Sequence, residues 1–245
     1  MPIPLFTILY YTIVIKPVVT LRHHALRIAC PQCSLELLTR RKADAQPDLV
    51  LPAYDDLVST FSGFYFGPPE VDGSISEDPA KWTGHISNEP LLVDNAFFVA
   101  LRDGGVAYAF VSGAEPPSVK FVLEARCGLA DPKRIAMGMA PDKPHPEGLL
   151  RLAEELAAEH GTTLDDIPSA YIGDTVGDVM TVLNARKARP GIKMAALAVP
   201  PPHVTEAGAT SLERYRARLM EAGADHVVAA TRELTASRVL ELLGC

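Results

Sequence analysis

Two carboxylates, Asp174 and Asp178, stand four residues apart just after an apolar run that stops at Gly173. Ser169-Ala170-Tyr171-Ile172 predicts a short buried strand, and Val179 to Arg186 predicts a helix. At a helix start this spacing puts both carboxylates on one side. Two hard oxygen donors at the carboxyl end of a strand suit Mg²⁺, which takes few protein carboxylates and keeps several waters. The same pair reads equally well as Asp174 capping the helix and Asp178 as a first-turn acid favoured by the helix dipole. Upstream, Ser112 closes another apolar run and precedes Gly113, whose backbone N–H can approach an anion unhindered. Lys143 stands in Asp142-Lys143-Pro144-His145-Pro146-Glu147, just before a predicted helix, with two prolines fixing the chain. Taken singly, Ser112 reads as a turn residue and Lys143 as a solvated surface lysine. A hydroxyl, an ammonium and paired carboxylates, in that order on successive βα units, make a site for a phosphate with Mg²⁺. The expected partner is a small phosphorylated molecule.

These residues need elements that bring them to one edge. Val106–Val111 predicts a strand, Ser118–Cys127 a helix and Ile135–Met139 a weak strand. Glu147–His160 is strongly periodic and predicts a helix. Strands follow at Ala170–Gly173 and Lys193–Val199, a helix at Leu212–Ala222 and a last strand at His226–Val228. Strands alternating with helices of this length imply an α/β fold, a doubly wound parallel sheet covered on both faces. Such sheets bind ligands beyond the carboxyl ends of their strands, where Ser112 and Asp174 both fall. Ahead of this core, Tyr54–Phe66 predicts a helix ended by Gly67-Pro68-Pro69, Glu70–Gly84 a polar loop, and Asn95–Leu101 a helix. The organisation expected is an atypical segment over 1–49, a partial helical cap over 50–94 and the α/β core over 95–245.

The 245 residues are 48% hydrophobic, enough for a sizeable core, and the net charge of −7 argues against nucleic acid as the main partner. Four scattered cysteines favour a reducing, cytoplasmic setting over a disulfide scaffold. Cys30-Pro31-Gln32-Cys33 is a single CxxC; zinc would need a second pair, and redox chemistry a strand before it and a helix after. Phe6–Ile15 is apolar and β-branched, too short for a confident membrane span and ended by Lys16-Pro17. It predicts a strand, with a charged linker over Arg40–Pro52. The excess of positive charge over Lys16–Lys42 leaves an organellar targeting role open.

From Asn95 to Leu243 the chain resembles the haloacid dehalogenase-like (HAD) phosphohydrolases, the subfamily with a helical cap between the first two core motifs. Val111-Ser112-Gly113 looks like the second motif, Lys143-Pro144-His145-Pro146 like the third and Gly173-Asp174-Thr175-Val176-Gly177-Asp178 like the fourth. Leu51–Val93 resembles the second half of the cap. The resemblance implies a Mg²⁺-dependent phosphomonoesterase, with Ser112, Gly113 and Lys143 on the phosphate and Asp174 and Asp178 on the metal. It also implies a first motif, Asp-x-Asp after a central strand, whose first Asp attacks phosphorus while the second serves as acid and base.

That motif is missing. Glu70-Val71-Asp72-Gly73-Ser74 follows prolines instead of an apolar strand, and Phe6–Ile15 ends without a carboxylate. The expectation is therefore a HAD-like hydrolase, inactive or weak as written. The alternatives are a phosphate- or partner-binding protein on the same fold, or a chain whose N-terminus replaced that of an active phosphatase. In either case Phe6–Ile15 is the stretch available for the central slot of the sheet, with Lys16 emerging near the phosphate.

Overall fold

The computed structural model describes Leu5–Leu9, residues 31–68, Glu70, residues 74–88 and residues 90–244. The chain forms two compact units: one holds Leu5–Leu9 and the chain from Leu91 onward, the other lies within Val14–Pro90.

The second unit is helical. Helix α1, Pro31–Asp44, carries Leu, Glu, Arg, Lys and Ala, all good helix formers, behind a proline at its first position. It runs past Arg40, so the expected linker is helical as far as Asp44. Cys30, one half of the CxxC, lies outside the described residues. Helix α2, Tyr54–Phe66, and the short α3, His85–Asn88, bury Tyr65 and Ile86. Phe61, Tyr65, Phe66 and Trp82 form a chain of ring contacts with centroids 4.7–5.3 Å apart. Glu70 pairs with Lys81 at 3.0 Å, while Asp72 lies outside the described residues.

The other unit is a six-stranded sheet in the order β3-β2-β1-β4-β5-β6. Its strands are β1 Leu5–Leu9, β2 Val106–Val111, β3 Arg134–Ile135, β4 Pro168–Gly173, β5 Lys193–Ala198 and β6 His226–Val227. Every pairing is parallel. The central slot is taken by Leu5–Leu9, which pairs with β2 on one side and β4 on the other. The rest of the stretch expected there, Tyr10–Ile15, and Lys16 beyond it lie outside the described residues.

Side chains alternate between the two faces of the sheet. Ala109 and Val111 of β2 and Tyr171 of β4 join one buried cluster with Leu149, Leu152, Ala153 and Leu156 of α6, Glu147–Glu159. Those four recur at the three- and four-residue spacing of an apolar helix face. Phe110 points the other way and meets Phe98 of α4, Asn95–Asp103, with ring centroids 5.6 Å apart. Helix α5, Pro116–Lys120, opens on two prolines and runs on into a π-helical stretch, Phe121–Arg126, so the expected Ser118–Cys127 helix changes its winding midway. Helices α7 Val176–Ala188, α8 Pro202–Glu206, α9 Ala209–Glu221 and α10 Ala236–Leu242 complete the unit. Strand β3 stops at Ile135, short of the expected Met139. Gly138 adopts φ +78°, a left-handed turn open to glycine, and Met139 N–H bonds back to Ala136 O at 3.1 Å.

Candidate functional site

The turn from β4 into α7 is built by Thr175 and Asp178. Thr175 Oγ1 accepts from the backbone N–H of Asp178 at 3.2 Å, and Asp178 Oδ2 accepts from the backbone N–H of Thr175 at 3.0 Å. This reciprocal capping box satisfies donors that a helix start leaves open. Thr175, not Asp174, is thus the N-cap. Asp178 Oδ2 also accepts from Asp174 N–H at 3.2 Å and from the Thr175 hydroxyl at 2.7 Å. Its other oxygen, Oδ1, accepts from Lys143 Nζ at 2.8 Å and from the Tyr171 hydroxyl at 3.3 Å. The Asp178 carboxylate is 1% exposed. Gly173 makes room for it: a Cβ at that position would lie 2.3 Å from Asp178 Cβ.

Lys143 comes from the segment before α6 and ends 18% exposed against Asp178. Burial pulls its ammonium below the ordinary lysine value, opposed by the charges of Asp178, Asp174 and Asp142. The loop that carries it is held from α7, where Asn184 Nδ2 donates to Pro144 O at 2.9 Å. Asp174 is held from a third direction. The Tyr215 hydroxyl of α9 donates to the Asp174 backbone carbonyl at 2.8 Å. Burial, with the nearby Asp174 charge, pushes the Tyr215 phenol up to about 12.

Ser112 lies at the same edge, as the register shows. Ile8 of β1 is level with Ala109 on one side and with Tyr171 on the other. Three residues further along each neighbour stand Ser112 and Asp174. They are level with each other, separated by two strand spacings, about 10 Å. Ser112 is buried; its Oγ accepts from Ala114 N–H at 3.1 Å and its N–H donates to Ile135 O at 2.8 Å. Gly113 beside it is exposed, and a Cβ there would meet nothing within 4 Å.

The structure therefore brings Lys143, Asp174 and Asp178 together and sets Ser112 and Gly113 across the central strand from them. Tyr171, Thr175, Asn184 and Tyr215 bond to the candidate residues or to the loop that carries them, and the sequence reading did not single them out. Thr175 three residues before Asp178 fits the capping-box pattern and was legible. Asn184 and Tyr215 act across 40 and 41 residues and leave no local signal.

A solved structure shares this architecture. The crystal structure of a HAD family hydrolase from Deinococcus radiodurans R1, with bound phosphate and sodium, matches with a TM-score of 0.56. The match covers 98% of this chain and 96% of that one. This chain shares its fold with that hydrolase. Sequence identity is 17%, so the likeness is one of fold. No protein-family model matches the sequence, and no curated protein does either.

The HAD fold raises the question of a metal. Among the described residues no three His, Cys, Asp or Glu side chains gather to hold one. Asp178, expected as a ligand, has donors on both oxygens, one of them an ammonium. The residues after Leu9 are Tyr10, Tyr11 and Thr12, and the first acid in the sequence is Glu36. Of the two expected ligands, the one that the Lys143 ammonium engages is Asp178, and Asp174 remains the candidate. One carboxylate falls short of the donor set that keeps Mg²⁺ resident in the absence of a phosphorylated ligand. No helix among the described residues is long and apolar enough to cross a membrane.

Proposed function

We propose that the carboxyl edge of this HAD-fold sheet binds the phosphoryl group of a small phosphorylated molecule. It is a phosphomonoesterase-type site in which turnover is weak or absent. The observation that carries this reading is the level placement of Ser112 and Asp174 on either side of β1, with Lys143 anchored beside Asp174 through Asp178. The Ser112 hydroxyl and the Gly113 N–H serve as donors to phosphoryl oxygens. Lys143 supplies a positive charge that Asp178 aims, and its attraction for an anion is stronger in a half-buried site than in water. That the Deinococcus radiodurans hydrolase of this fold was solved with bound phosphate supports a phosphate-type ligand for this chain.

Positioning and electrostatics matter greatly in phosphoryl transfer, but hydrolysis through a phosphoenzyme also needs an attacking group. No carboxylate precedes Glu36 in the sequence, so β1 brings none to the site. Mg²⁺ binds weakly, through Asp174, and Asp178 serves as the support for Lys143.

Phosphorus NMR titration and a p-nitrophenyl phosphate assay test this together. Inorganic phosphate is expected to bind, with affinity reduced about tenfold or more in Ser112→Ala and in Lys143→Met, while the ester is turned over no faster than in buffer. Mg²⁺-dependent hydrolysis that disappears in Asp174→Asn would refute the missing nucleophile and make Asp72 the first carboxylate to test.

A further inference from the structure

Of the sheet unit's large apolar side chains among the described residues, Leu92, Met137, Met139 and Met220 are about half exposed, Met137 at 48% and Met139 at 47%. Two of these four share one turn. Val111 of β2 is level with Ile135 of β3, where the paired strands end. Beyond them the register shifts, and Met137 N–H donates to Ala114 O at 3.0 Å, two residues past Ser112. The turn is fastened elsewhere too. Met139 Sδ accepts from Ala136 N–H at 3.3 Å, and Arg151 Nη2 donates to Met139 O at 2.8 Å. Two half-exposed methionine side chains thus sit on a turn tied to the loop that carries Ser112 and Gly113.

Exposed methionines on a fixed backbone make adaptable apolar surface, with favourable sulfur contacts to aromatic rings. A surface of that kind gains little from a phosphorylated sugar or glycerol, whose hydroxyls prefer water. It gains from an apolar group held against it by the anchored phosphate. We propose that Met137 and Met139 form the recognition surface for the organic part of the ligand, and that the ligand is a phosphate monoester of an aromatic alcohol. This rests on the anion-site reading above and adds the class of molecule that the site selects.

Three ligands separate the two ideas: inorganic phosphate, glycerol 2-phosphate and phenyl phosphate, each titrated against the whole chain by calorimetry or phosphorus NMR. Phenyl phosphate is expected to bind about tenfold more tightly than glycerol 2-phosphate. In the double variant Met137→Ser, Met139→Ser that preference should fall to about twofold or less, with inorganic phosphate affinity unchanged. Met139→Ser also removes the sulfur that accepts from Ala136 N–H, so Met137→Ser alone serves as the control whose thermal midpoint should match the parent's and whose preference should fall part of the way. Equal affinity of the parent for the two esters overturns the proposal while leaving the anion site standing. A variant that weakens all three ligands alike also overturns it, since the methionines would then serve the loop's shape. Failure of inorganic phosphate to bind the parent overturns the anion site and this proposal with it.

Discussion

Removing the Asp178 carboxylate is the sharpest perturbation of the site. Asp178→Ala takes the acceptor from Lys143 Nζ, from the Tyr171 and Thr175 hydroxyls and from two backbone N–H groups at the start of α7. Breaking a buried ion pair by deleting one partner costs about 3–5 kcal/mol. Losing a helix cap costs about 1 kcal/mol, part of which overlaps with the same desolvation. A net loss of about 4 kcal/mol corresponds to a fall in Tm of about 8–16 °C for a chain of this size. Circular dichroism melting and urea titration read both quantities. Asp178→Asn keeps an acceptor for the cap but not the charge, and should lose about half as much. The Lys143→Met, Asp178→Asn double variant should be less destabilised than the sum of the single changes, by about 1–2 kcal/mol. Adding Mg²⁺ to the parent protein, with no phosphorylated ligand present, should leave its Tm unchanged. A Tm for Asp178→Ala within 2 °C of the parent's would refute the support role. A Mg²⁺-induced rise in Tm that Asp178→Ala abolishes would make Asp178 a metal ligand instead.

Other expectations follow from the same neighbourhood. Gly173→Ala places a Cβ 2.3 Å from that of Asp178, and should cost at least as much stability as Asp178→Asn by the same melting assay. Tyr215→Phe removes the hydroxyl donor to Asp174 O, and should cost about 1 kcal/mol at neutral pH in urea titration. The Tyr215 phenol is raised from the ordinary tyrosine value of about 10 to about 12. Its contribution is therefore intact below pH 10 and declines as pH climbs toward 12, because the unfolded chain ionises first. The parent should lose stability faster than Tyr215→Phe across that window, and parallel curves would exclude Tyr215 as the cause. Asn184→Ala frees the Pro144 carbonyl from α7, and is expected to weaken inorganic phosphate binding several-fold with a smaller effect on stability. Unchanged binding in calorimetry would show that the Lys143 loop holds its place without it.

The α/β class was legible because helices and strands differ in apolar period. Leu149, Leu152, Ala153 and Leu156 recur as a helix face, while β4 is apolar almost throughout, as a strand buried on both faces should be. Strand β2 was read with its observed ends, Val106 and Val111, since glycines and Ser112 bracket it. The short strand β3 was read too long because Met137 and Met139 are apolar, whereas the turn is set by Gly138 and by bonds to Ala114 and Arg151. Spacing placed Asp174 and Asp178 at a helix start but did not show what holds the Asp178 carboxylate. Lys143, 35 residues away in sequence, and the Tyr171 hydroxyl both bond to it, and neither contact is written in local pattern. The helix over Pro31–Asp44 was not read from the sequence at all, and its second half was taken for a linker because of its charges.

The central position of β1 sets a schedule for synthesis. Leu5 is level with Val106 and Phe6 with Ser169, so the strand's partners follow it by about 100 and about 160 residues. At ribosomal speeds of roughly 5–20 residues per second, Leu5–Leu9 waits roughly 5–20 s for its first neighbour and longer for its second. Through that interval Leu-Phe-Thr-Ile-Leu is an uncharged, β-prone peptide without its ladder, the kind of segment that pairs with other chains. Nascent chains stalled shortly before Val106 should therefore engage holding chaperones through these five residues, and those stalled beyond Gly173 should have let go. Release at the shorter length would mean that the strand finds an earlier partner.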